Sequence, residues 1–100
     1  MDQIDRIKHF EEILDRANEV HSKLEAALDD YAALMPLIAE LEEYYSGEEW
    51  ISDFKDDEAG KLPADLKRGV LSEDAVYDAL TSDHELLINM LETVTKALRS

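Results

Sequence analysis

The fold is decided by residues 7–41, IKHFEEILDRANEVHSKLEAALDDYAALMPLIAEL. Within it Ile7, Phe10, Leu14, Ala17, His21, Leu24, Leu28, Tyr31, Met35 and Ile38 recur at spacings of three and four. That is the period of one face of an α-helix. A second row, Ile13, Val20, Ala27, Leu34 and Leu41, runs beside the first at intervals of seven. The two rows make a broad apolar stripe, suited to packing against two neighbours in a bundle rather than to a two-stranded seam. On the opposite face Asp2, Glu12 and Glu19 each precede a base by four residues, the favourable orientation for a helical ion pair.

Pro36 interrupts the stretch. Proline lacks an N–H and clashes with the preceding turn, so a kink is expected near Leu34–Met35. The stripe continues to Tyr45, so helix is expected to resume and end there. The straight part before the kink would be about 50 Å long at about 1.5 Å per residue.

Beyond Tyr45 the punctuation changes. Ser46 and Glu49 have capping-box spacing, which predicts a helix start at that point, with Trp50, Ile51 and Phe54 turned inward and an end near residues 58–60. Residues 60–71 have no period and read as a connector, within which Pro63 to Gly69 has room for one helical turn. Ser72, followed by Glu73 and Asp74, predicts another helix start. Its apolar face is Val76, Tyr77 and Leu80. Ser82 with Glu85 repeats the capping-box spacing, so either a new helix or a bend is expected there. Leu87, Leu91, Val94 and Leu98 complete the last apolar row. No alternating pattern indicates a sheet. The expected fold is all-α, an antiparallel helical bundle with a long, Pro-kinked N-terminal helix, forming one domain over residues 1–100.

Composition excludes several functions. The chain has 100 residues, 25 acids against 10 bases, a net charge of -15 and 45% hydrophobic residues. That apolar share is enough for a globular core. A polyanion is repelled by bare nucleic acid and by anionic membranes, so neither is an expected partner. No apolar run approaches the roughly 20 residues of a spanning helix. The N-terminus lacks the basic region and apolar run of a signal peptide. With no cysteine there is no disulfide framework and no thiolate chemistry, which fits a cytoplasmic setting. The charge is uneven: -8 over residues 1–45, -5 over 46–66 and -2 over 67–100.

The stretch LEEYYSGEEWISDFKDDEAGKLPADLKRGVLSEDAVYDAL, residues 41–80, resembles a family of small, acidic bacterial proteins catalogued only as a domain of unknown function. Its most specific part is LPADLKRGVLSEDAVYDAL, Leu62 to Leu80, and the long helix with its embedded Pro36 also fits. The resemblance implies a stand-alone helical protein, mostly of Gram-positive and related lineages. It implies no activity, cofactor or catalytic residue.

Two clusters are candidate sites. Lys61, Lys67 and Arg68 lie within eight residues of a chain with ten bases. They could bind an anion or a carboxylate-bearing partner. The plainer expectation is that they neutralise Asp56, Asp57, Glu58 and Asp65 while Leu62, Leu66, Val70 and Leu71 pin the connector to the core. Tyr44, Tyr45, Trp50 and Phe54 are four of the seven aromatics. They are either a binding hot spot or, the plainer expectation, the core at one end of the bundle. Tyr44 and Tyr45, being adjacent, are not expected to face inward together.

No metal or catalytic constellation emerges. His9, His21 and His84 lack the Glu-x-x-His spacing of di-iron bundles and the spacing of zinc proteases. His21, on the apolar stripe, reads as a core histidine, and no cofactor is implied. Glu40-x-x-Glu43 and Asp74-x-x-x-Asp78 loosely resemble the paired acidic motifs with which all-α nucleoside-triphosphate pyrophosphatases hold Mg²⁺. They carry a Mg-dependent hydrolase as a minor alternative. The leading expectation is a non-enzymatic interaction or scaffold bundle with a protein partner, with a homodimer among its expected forms because 100 residues are short of material to cover so broad a stripe. A further alternative is an acidic inhibitor or immunity-like protein that binds a basic partner.

Overall fold

The computed structural model describes residues 2–100. It is all-α: α1 spans Gln3–Tyr45, α2 spans Glu48–Glu58 and α3 spans Glu73–Arg99. A 3₁₀ turn at Gly69–Leu71 precedes α3, and no strand occurs among the described residues. The packing is compatible with a helical bundle. The chain divides into two compact units, residues 1–37 and residues 38–100, with the division beside Pro36.

The first unit is helix throughout its described length after Asp2. Asp2 caps it, accepting the Asp5 backbone N–H at 2.8 Å, a role the sequence pairing of Asp2 with Arg6 does not reveal. The Glu19–Lys23 ion pair forms at 2.8 Å on the outer face. The helix continues through Pro36 to Tyr45, so the proline does not end α1. None of the side chains of α1 is fully buried.

The second unit turns its corner between α1 and α2, and here the expected capping box does not form. The Ser46 hydroxyl instead donates to the Glu42 carbonyl at 2.8 Å, closing the end of α1. With that oxygen turned back, Gly47 becomes the N-cap of α2 and offers no side-chain bond. A Cβ at Gly47 would stand 3.1 Å from the Glu43 carbonyl oxygen, closer than most side chains tolerate. At its other end α2 stops in a Schellman arrangement. Gly60 N–H donates to Asp57 O at 3.1 Å and Lys61 N–H to Asp56 O at 3.0 Å. Gly60 has φ +71°, the left-handed conformation that glycine adopts without a steric penalty.

After a turn closed by Leu66 N–H on Pro63 O at 3.2 Å, the 3₁₀ turn contacts both α2 and α3. Ser72 then caps α3, its hydroxyl accepting the Ala75 N–H at 3.4 Å. Ser82 and Glu85 lie inside one unbroken α3. No Gly or Pro surrounds Ser82, so nothing competes with the helical ladder there. Neither a second helix start nor a break separates the two halves.

Among the described residues, the buried apolar side chains are Trp50, Leu71 and Val76. Two sequence assignments are corrected by this. Ile51 is 49% exposed and Tyr77 is 61% exposed. Each follows a buried neighbour, Trp50 or Val76, by one residue, about 100° around the helix, and the small core reaches only one narrow arc of α2 and of α3. The Trp50 indole N–H donates to the Val70 carbonyl at 2.9 Å. Trp50→Phe leaves that carbonyl without its partner and should lower stability by about 1–3 kcal/mol. Trp50→Ala should cost about 3–5 kcal/mol. Urea unfolding followed by circular dichroism measures both.

Candidate functional site

The aromatic residues meet at the α1–α2 corner. Trp50 sits at the third position of α2, and Phe54 follows one turn later, so both project to the same side. Their rings stack with centroids 5.1 Å apart and an interplanar angle of 17°. Tyr45, the last residue of α1, meets Trp50 edge-on at 5.2 Å. Its hydroxyl donates to the Glu73 carbonyl at 3.2 Å, tying the end of α1 to the first turn of α3. Tyr44 points elsewhere and donates to Asp53 Oδ2 at 2.6 Å. The adjacent tyrosines are therefore both half-buried, each engaged by a different neighbour. Bonding to the Asp53 carboxylate, with a smaller desolvation effect, pushes the Tyr44 phenol up to about 12.

The connector closes over this corner through Arg68. Its guanidinium donates to Asp57 of α2 and to the Pro63 carbonyl, and its Nε to the Leu66 carbonyl at 3.2 Å. One planar fork thus joins a helix to two points of an irregular segment, a geometry that a lysine cannot reproduce. Lys61 lies 3.9 Å from Asp56, the residue its own backbone N–H already reaches. The Lys67 side chain borders a cleft lined by Tyr44, Asp53, Leu62, Leu66 and Leu71. The three bases thus go three ways. Arg68 is spent on internal bonds, Lys61 on the end of α2, and Lys67 reaches the cleft rim. What the sequence does not reveal is that Arg68 acts as a clasp, because its partners at Pro63 and Leu66 are carbonyls and carry no side-chain signature.

The acidic pairs are also separated in kind. Glu40 and Glu43 line an open groove with Tyr44, Gly47, Glu48 and Glu49, to which Asp74 and Asp78 do not contribute. Among the described residues no three His, Asp or Glu side chains come together as a metal-binding group. No helix there is long and apolar enough to cross a membrane.

The remaining feature is the apolar stripe itself. Ile7 is 54% exposed, Phe10 57%, Leu14 53%, Leu24 54% and Leu28 46%. Such side chains usually lie inside a protein or under a partner. The fold and these surfaces define an acidic all-α protein with an aromatic corner, an arginine clasp and an uncovered helix face. The chain belongs to the family described as Domain of unknown function (DUF4298), whose model matches residues 7–93. No curated protein and no solved structure matches it.

Arg68→Ala should destabilise the chain by about 1–3 kcal/mol in urea unfolding, and Arg68→Lys should recover little of that, whereas Lys67→Ala should be close to neutral. The Tyr44–Asp53 bond sets a second expectation. Its folded-state phenol titrates above the unfolded value of 10, so its contribution is complete below pH 10 and falls as pH rises toward 12. The stability difference between wild type and Tyr44→Phe should therefore be flat at neutral pH and shrink across that alkaline window.

Proposed function

We propose that the protein is a non-enzymatic helical interaction module of the cytoplasm, which works by laying the apolar face of α1 against another helix. The observation that carries this is the state of the first unit. Its helix bears a broad apolar stripe, and none of it is fully buried. Helices in water gain most of their stability from covering such a face, since local bonds and propensity are marginal alone. Covering it is worth about 25 cal/mol per Å² of apolar surface removed from water.

The acidic flanks shape selectivity. With a net charge of -15, approach of anionic surfaces is disfavoured and the apolar face is the attractive part. The cysteine-free composition supports a reducing compartment. The basic cluster of the connector enters as a clasp that holds the second unit, leaving Lys67 as its outward member.

The test uses the paired variant Leu14→Glu/Leu28→Glu, which places two carboxylates in the stripe. Quantitative capture from lysate with wild type and variant as baits should show the specifically bound protein, or the chain itself, lost from the variant. Equal capture by both baits overturns the reading.

A further inference from the structure

We propose that the occupant of the α1 face is a second copy of this chain, paired with it antiparallel about a two-fold axis near His21 and Leu24; this rests on α1 being an interaction face.

The first support is length. The apolar row from Ile7 to Ile38 covers 32 residues, about 48 Å of helix. The longest other helix, α3, has 27 residues, and its own apolar row from Tyr77 to Leu98 covers 22, about 33 Å. α2 has 11 residues. No other helix among the described residues is long enough to cover the row, and the flanking row from Ile13 to Leu41 widens what must be covered. A second α1 has the required length and the same spacing.

The second support is register. The row alternates steps of three and four, so reversing it superimposes it on itself. In the register that uses its full length, Ile7 faces Ile38, Phe10 faces Met35, Ala17 faces Leu28 and His21 faces Leu24. Large residues then meet small ones at the Ala17 level, as interdigitating layers require.

The third support is charge, which selects the orientation. Arg6, Lys8, Arg16 and Lys23 are the bases of α1, and all lie in its first half. The second half, from Leu24 to Tyr45, carries Glu25, Asp29, Asp30, Glu40, Glu42 and Glu43 with no base. A parallel pair sets these uncompensated halves against each other. An antiparallel pair sets each against the half that holds the bases, and brings a positive helix N-terminus toward a C-terminus whose last turn has no base. The closed two-fold arrangement is the commonest symmetry of homo-oligomers.

Charge also separates this occupant from a basic partner. Two chains of -15 repel, so added salt should tighten the homodimer, whereas it would weaken binding of a cation-rich helix. Sedimentation equilibrium of the full chain at micromolar concentration should give twice the 11.4 kDa chain mass, with a stronger dimer at high salt. Leu28→Glu should return the chain mass while the emission of Trp50, in the other unit, stays unchanged. Because the chain has no cysteine, a single Lys8→Cys spin label reports orientation cleanly. The antiparallel pair sets the two labels about 44 Å apart, and a parallel pair about 10 Å. A monomer at every salt concentration, dimerisation that Leu28→Glu leaves intact, a dimer weakened by salt, or a short label distance overturns the proposal. A monomeric wild type whose bound protein is lost on Leu14→Glu/Leu28→Glu overturns self-association and leaves the interaction face standing. A monomer whose capture is unaffected overturns both.

Discussion

The hydrogen bond from the Trp50 indole to the Val70 carbonyl is the constraint on which the second unit depends. It joins a regular helix to a segment with almost no regular structure of its own. Residues 61–72 contain one turn and one 3₁₀ turn, so few of their backbone groups are satisfied by a ladder. Buried carbonyls without a partner are costly, and the indole supplies one. The ring that carries the donor also contributes the largest apolar surface in the core, stacked on Phe54 and abutted by Tyr45. Orientation of the N–H and burial of the ring are therefore one event. Tyr45 extends it by reaching the Glu73 carbonyl, and Arg68 closes the connector from the other side. Four side chains thus hold together the end of α1, α2, the connector and the start of α3, where the buried apolar residues are few.

Much of this architecture is legible in the residues. The helical period of residues 7–41, the helix start at Ser72 and the end of α2 near Gly60 all follow from local chemistry, and all stand in the structure. The aperiodic connector does too. The misjudged positions have two causes: a side chain with a choice of partners, and an apolar side chain that the small core does not reach. Ser46 has the spacing of a cap, yet its hydroxyl is equally able to donate backward to Glu42, and once it does Gly47 must begin α2. Ser82 has the same spacing inside a segment with no helix breaker, so the ladder prevails. Ile51 and Tyr77 are apolar and helical but lie outside the arc that the Trp50 cluster covers.

The candidate site was legible in composition and hidden in wiring. Aromatic clustering points to the corner, and scarcity of bases points to the connector. Neither reveals that Tyr44 serves Asp53, that Tyr45 serves the start of α3, or that Arg68 bonds mainly to carbonyls. Those partners are separated by 5 to 28 residues, and two of the acceptors are main-chain atoms common to every residue type. A sequence pattern can mark a donor. It cannot mark which of many identical carbonyls the fold will bring to it.

The two units differ in how their helices are held, and the difference bears on function. The corner unit has internal bonds that survive without any partner. The helix of residues 3–37 has its ladder, the Asp2 cap and local pairs such as Glu19–Lys23, each worth a fraction of a kcal/mol to about 1 kcal/mol. Most of the exposed apolar surface of its rows stabilises the helix only when it is covered. Any partner that binds only the helical form stabilises that form by mass action. With α1 as the proposed interaction face, association and helix stability in the first unit form a single linked equilibrium, and the acidic second half of α1 disfavours anionic partners. On the proposed reading, the hydrophobic gain lies in one unit and the self-sufficient clasp in the other, so the chain keeps a folded corner while binding stabilises its long helix.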